Sequence, residues 1–208
     1  MLFRTHSFRH VEAILNQPGF LEQYEEVRSV IIGTTEESII QRHESYGIPD
    51  EERTPKSLSV ALNNIFKERF MAIGWSEEAP IFQDTAYTGD TWRLDFAKDD
   101  LSIEVAFNHA SVIAWNLIKP VLASELNHVN KAIQTKIGVL ITATNEMKNK
   151  GGFDGAIGTF EKYLDYLKPL QNMLTVPLLL IGLEPPQTFE IEHFQLHPRK
   201  KIGRIIHY

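Results

Sequence analysis

From Ser57 to Ile73 apolar residues return every third or fourth position. Leu58, Leu62, Ile65, Phe66, Phe70 and Ile73 form one stripe, and Asn63, Asn64, Lys67 and Glu68 occupy the rest of the surface. The spacing predicts a helix over 57–73, capped by Ser57 and stopped by Gly74. Further along, the period drops to two. Trp92, Leu94 and Phe96 alternate with Arg93, Asp95 and Ala97; after an acidic turn, Ile103, Val105 and Phe107 alternate with Glu104, Ala106 and Asn108. This pattern predicts a half-buried hairpin. KIGVLITA (136–143) and VPLLLIGL (176–183) are apolar throughout and predict strands buried on both faces. Helical patterns fill the intervals at 111–130 and 155–168. Three shorter helices are expected before residue 50: Phe8 to Asn16 after a Ser7 cap, Leu21 to Ile32, and Thr35 to Ser45. GIPDEERTPK (47–56) is a loop, and 81–87 shows no readable period. Strands separated by helices predict a mixed α/β sandwich around a central sheet.

Composition narrows the class. At 208 residues, 43% apolar and 23% charged, the chain suits one soluble domain with its own core. The expected divisions are a helical support over 1–56, a core over 57–183 and an extension over 184–208. The opening MLFRTHSFRHVEAILNQ carries charges where a signal peptide needs an apolar run, and cysteine is absent, so a cytoplasmic protein is expected. The net charge of −6 argues against non-specific coating of nucleic acid, but not against a sequence-specific nuclease.

The hairpin raises the chemical question. With Asp99 and Asp100 as its two turn residues, paired positions have numbers summing to 199, so Asp95 faces Glu104. Opposed residues sit roughly 4.5–5.5 Å apart at Cβ, and like charges there destabilise the pair. A divalent cation such as Mg²⁺ answers the repulsion, because it takes oxygen ligands and works with one or two carboxylates plus water and phosphate. Solvation of both acids on an exposed face answers it equally well.

At these residues the chain resembles the type II restriction endonucleases of the BglII and BstYI kind, within the PD-(D/E)xK nuclease superfamily. The likeness runs from about Ser57 to Leu183 through four blocks in order: SLSVALNNIFKERFMAIGW, the hairpin with Asp95 and IEV, IGVLITA and VPLLLIGL. The resemblance implies a restriction-endonuclease-like core, a Mg²⁺-dependent homodimer and double-strand cleavage of a short palindrome with a GATC core. It makes Asp95 and Glu104 the metal-binding carboxylates. The third catalytic position falls two residues after Glu104. Lysine stands there in most of the superfamily, glutamine or glutamate in this subgroup, and here Ala106. The explanations are an engineered inactive variant, a naturally impaired relative, or an active enzyme whose third group comes from elsewhere, such as Lys98 or Asn108. The intact surroundings favour the first.

Two stretches match the subgroup's base-reading positions. Asn108, His109 and Ser111 follow the catalytic strand, where an amide can pair with adenine; the structural alternative is that they close the strand and cap the next helix. Lys148, Asn149, Lys150 and Asp154 lie in EMKNKGGFDGAIG (146–158), where the lysines and the amide could meet phosphate or guanine and Asp154 could accept from cytosine. Without the resemblance this reads as a plain strand-to-helix connection with Asp154 as cap. HPRKKIGR (197–204) reads as a solvated basic face, and the eight histidines show no metal-site spacing. Glu68 could be an accessory ligand but more readily faces solvent; Asp84 is ambiguous. Two rival functions stay open: a non-catalytic sequence-specific DNA-binding protein that kept the fold, and a metal-dependent phosphoesterase acting on RNA or nucleotides. Helices 111–130 and 155–168 are the expected dimer surface.

Overall fold

A computed structural model describes residues 1–87, 89–125 and 129–208. Six strands form one mixed sheet: β1 (Phe3–Phe8), β2 (Ser76–Pro80), β3 (Arg93–Lys98), β4 (Leu101–Val105), β5 (Ile137–Ala143) and β6 (Leu178–Leu183). Their order is β1-β6-β5-β4-β3-β2, with β4, β5 and β6 parallel and the outer pairings antiparallel. A separate ribbon joins β7 (Phe189–His197) to β8 (Lys200–His207).

The helices are α1 (Val11–Leu15), α2 (Leu21–Gly33), α3 (Glu36–Ser45), α4 (Ser59–Ala72), α5 (Ile113–Ser124), α6 (Asn145–Lys150) and α7 (Phe160–Leu170). Strand alternation assigns the two faces of the sheet. Ile103, Val139, Ile141, Leu179 and Ile181 pack with Val27 and Ile31 of α2 and with Leu62, Phe66 and Phe70 of α4. The intervening Leu140, Leu178 and Leu180 join Ala106 and the α5 and α7 residues Ile113, Leu117, Tyr163 and Leu167. Glu104, one residue out of phase with Ile103, is therefore carried to the α5 face.

The structure corrects several boundaries. The first predicted helix is shortened to α1 and is preceded by edge strand β1, which the pattern did not show; the Ser7 hydroxyl accepts from Glu12 N at 3.2 Å across that junction. Strand β2 adds to the hairpin before the segment that showed no period. The helix predicted over 111–130 runs only from Ile113 to Ser124, after a 3₁₀ turn at Ala110–Val112, and part of the remainder lies outside the described residues. The helix predicted from Gly155 begins at Phe160. The extension over 184–208 is the β7–β8 ribbon, which the pattern did not show. No described helix is long and apolar enough to cross a membrane.

Candidate active site

The hairpin arithmetic holds. Phe96 pairs with Ile103, Ala97 with Ser102 and Lys98 with Leu101, each summing to 199, and Asp99 takes the left-handed conformation at φ 47° in the turn. Asp95 and Glu104 stand one step beyond Phe96 and Ile103, on the side away from the turn. There Asp95 Oδ2 accepts the Val105 N–H at 2.7 Å, which fixes its carboxylate beside β4.

Glu104 is buried, with its side chain only 3% exposed, under α5. Lys119 of that helix donates to Glu104 Oε2 at 2.7 Å, and its side chain is 10% exposed. Glu104 Oε1 is buried and, among the described residues, has no side-chain or backbone hydrogen-bond partner of full geometry. Burial, and secondarily the charge on Asp95, push the Glu104 carboxyl up to about 8 against the pull of Lys119 and, more weakly, of the Asp95 N–H. Burial likewise raises Asp95, opposed by the Val105 N–H and the Lys119 charge. One ammonium thus leaves the two acids undercompensated.

These features fit a hard divalent cation. Glu104 Oε1 is an oxygen awaiting a partner, and a second carboxylate comes from the facing strand. Among the described residues no group of three or more His, Cys, Asp or Glu side chains could hold a metal. Two carboxylates are the set expected for Mg²⁺ completed by water and phosphate. A cavity opens beside Asp95, Phe96 and Val105, bounded by Asn63, Asn64 and Lys67 of α4 and by Glu77 and Glu78 of β2.

Ala106 is 1% exposed within the apolar cluster of Ile113, Leu117 and Leu140. Its methyl offers no polar atom to the site. Both groups named as its substitutes make hydrogen bonds elsewhere. Lys98 donates to Glu26 Oε1 at 2.6 Å and to the Ile73 carbonyl at 3.0 Å, against α2 and the end of α4. Asn108 Oδ1 accepts from Asn116 Nδ2, which also donates to Tyr163 Oη at 2.7 Å. Burial raises the Tyr163 phenol, so it stays a neutral partner in this network. Lys119 was not singled out from the sequence. The signal was present, since a lysine within WNLIKPVLA sits among the inward positions Ile113, Asn116, Leu117 and Pro120. A buried lysine demands a partner.

The two candidate DNA-reading stretches come together. His109 bridges Ile157, the Ala110 N–H donates to Ala156 O at 2.8 Å, and the Gly158 N–H donates to Asn108 O at 3.0 Å. Asn108, His109, Ser111 and Asp154 are exposed along this seam. His109 Nδ1 lies 2.9 Å from Ser111 Oγ and accepts the Ser111 N–H, so it caps the 3₁₀ turn that leads into α5. Asp154 caps a turn through the Ala156 N–H at 2.9 Å and not the helix, whose N-terminal neighbour is Thr159. Lys148, Asn149 and Lys150 form the last turn of α6, with Lys150 Nζ 4.9 Å from the Tyr208 ring centre. They lie on a helix where the sequence suggested a plain connection.

Other candidates fall elsewhere. Glu68 is held by Arg42 through two bonds of 2.7 and 2.6 Å, away from Glu104. Asp84 is exposed and accepts the Ala86 N–H. The basic run turns β7 into β8, where His197 and Arg204 meet Glu52 and Glu51, each at 2.9 Å.

Comparison with known proteins gives a consistent result. A family model described as restriction endonuclease BglII/BglIII matches residues 3–183. The crystal structure of restriction endonuclease BglII complexed with a DNA 16-mer superposes with a TM-score of 0.67, at 18% identity over 100% of both chains. That of free BglII gives 0.57 at the same identity and coverage. Among curated proteins nothing matches.

Proposed function

The chain belongs to the BglII restriction endonuclease family, whose members are type II site-specific deoxyribonucleases, and on that premise we propose that it is a Mg²⁺-dependent enzyme cutting both strands of a palindrome with a GATC core. The observation that carries this reading is the meeting of Asp95 and Glu104 with Glu104 Oε1 unpartnered and buried. When bound, the metal polarises the scissile phosphodiester and makes its water a nucleophile near neutral pH. Asp95 and Glu104 would hold it. Each has one oxygen already fixed, by the Val105 N–H and by Lys119, which leaves little freedom to lose on binding.

The exposed seam of Asn108, His109, Ser111 and Asp154 supplies donors and acceptors for base edges, and Lys148, Asn149 and Lys150 supply phosphate contacts on α6. A two-fold site calls for a homodimer acting in a prokaryotic cytoplasm, each copy reading one half. The two helices proposed for its surface, α5 and α7, already pack on each other through Asn116 and Tyr163.

The test is cleavage of random-sequence duplexes with Mg²⁺ by the chain itself and by Ala106→Gln. Cuts confined to GATC-containing sites are expected. If neither protein cuts with any divalent metal while both still retard a GATC duplex in a gel, the DNA-binding alternative replaces the nuclease.

A further inference from the structure

Resting on the endonuclease reading, we propose that Lys119 is the third catalytic group, delivered from α5 in place of the side chain that Ala106 lacks just past the end of β4. The sequence favoured a chain disabled at Ala106. The structure brings a polar group to Glu104 from another element.

Three observations converge. An ammonium carries three donors, and among the described residues its hydrogen bonding is to Glu104 alone, at 2.7 Å. Two donors therefore remain for whatever enters beside Glu104, and a water or a phosphate oxygen fits them. The ammonium is also nearly buried, its side chain 10% exposed, and it bonds directly to one of the two acids proposed to hold the metal, so it stands at the reacting centre. Finally, its backbone is clamped: the next residue, Pro120, packs so tightly on β5 that a Cβ at Gly138 would fall 2.5 Å from the Pro120 Cβ. Held this way, α5 aims Lys119 as a strand position would.

The same bond would exist if Lys119 only neutralised a buried acid, and the experiment separates the two roles. Single-turnover cleavage is measured at saturating Mg²⁺ for the parent chain and for Lys119→Met, Lys119→Arg and Ala106→Lys/Lys119→Met. Calcium affinity of the uncut DNA complex and melting temperature are followed in parallel. A catalytic Lys119 predicts a fall of about 100-fold or more for Lys119→Met, the scale of losing a group that positions or protonates reacting atoms. Calcium affinity, which Lys119 touches only through Glu104, should change by less than about tenfold, far less than cleavage. Lys119→Arg keeps the charge, and so the fold, but places it differently; at least a tenfold loss is expected. The double variant should recover at least tenfold over Lys119→Met.

Parent-like cleavage by Lys119→Met would overturn the inference and leave the endonuclease reading intact. So would parent-like cleavage by Lys119→Arg should Lys119→Met not fold, because charge alone would then suffice. A parent chain that is inert while Ala106→Gln cuts also removes Lys119 and spares the family reading. If both are inert, both readings fall.

Discussion

The β3–β4 hairpin is flanked by two lysine–carboxylate pairs, and they differ in what they leave undone. Toward α2, Lys98 donates to Glu26 and to the Ile73 carbonyl, while the other Glu26 oxygen accepts Trp75 Nε1 at 2.8 Å. Both carboxylate oxygens there are used. Toward α5, among the described residues, Lys119 bonds to Glu104 alone and the second Glu104 oxygen has no partner, while Asp95 adds another charge. A satisfied polar network fixes a fold; a buried one left short of partners is kept at a cost and points to a missing ligand. The difference separates a pair that anchors the hairpin from one that works.

The sharpest way to break this contrast is Asp95→Asn. It removes a proposed metal ligand worth several kcal/mol to the transition state, so cleavage should fall on the order of 10³-fold with gel-shift binding preserved. A plasmid nicking assay reads it. Glu26→Gln, across the hairpin, should cut within about twofold of the parent, since it touches nothing near the reacting phosphate.

Replacing both members of each pair sharpens the comparison in stability. Glu104→Leu with Lys119→Met removes two poorly solvated charges, and such exchanges are often neutral or stabilising by about 1–4 kcal/mol. The same treatment of Glu26 and Lys98, whose side chains are 20% and 24% exposed, should instead cost about 1 kcal/mol. Urea denaturation of the two double variants should show midpoints moving in opposite directions, or one unmoved and one lowered. A large loss in the first would mean that the site pair holds the fold after all.

Gly138→Ala probes the clamp behind Lys119. Its new methyl meets Pro120 and Leu178 at 2.5 and 2.7 Å, contacts that cannot stand without movement. Overpacking of this kind costs about 1–3 kcal/mol. Cleavage should fall further than the lost stability explains, because α5 must shift away from β4. A thermal melt beside a cleavage assay, both run well below the midpoint, separates the two effects.

How much of this could be read from the chain depended on whether the information was local. The register of the hairpin was legible, because turn length fixes it, so the 199 rule followed without long-range knowledge; the expected half-burial was not met, since α5 covers the second face and β4 is buried on both. Strands β5 and β6 were legible because burial on both faces leaves an unbroken apolar run. Edge strand β1 was not, since RTHS is mostly exposed and its partner β6 lies at the far end of the chain. The β7–β8 ribbon hid for the same reason, with exposed polar residues along most of its length. In the site, Asp95 and Glu104 share a hairpin and were found together. Lys119 belongs to a different element, 15 residues on from Glu104, so only packing of α5 on the sheet brings it in. The meeting of Asn108 and His109 with the 154–158 turn likewise needed the third dimension.

The smallest effect lies in a second region where a buried polar side chain is left short of a partner, and it should depend on pH alone. His43 of α3 is 1% exposed; its Nε2 lies 2.8 Å from the Gly203 carbonyl of β8, and among the described residues its Nδ1 has no hydrogen-bond partner. Burial lowers its affinity for a proton, with the Gly203 carbonyl pulling the other way. The folded state therefore holds the neutral ring, which donates from Nε2, while the unfolded ring takes up a proton near its ordinary value of about 6.5. Stability from this residue is complete above that value and declines as pH falls through it toward the lower folded value. The decline is about 1.4 kcal/mol for every pH unit that separates the folded ring's titration from the unfolded one's. Urea midpoints should drop between pH 7.5 and 5, and His43→Gln should flatten that drop while losing some stability at pH 7.5. An equal slope in parent and variant would place the acid sensitivity on carboxylates elsewhere, and the contrast between satisfied and unsatisfied buried groups would then rest on Glu104 alone.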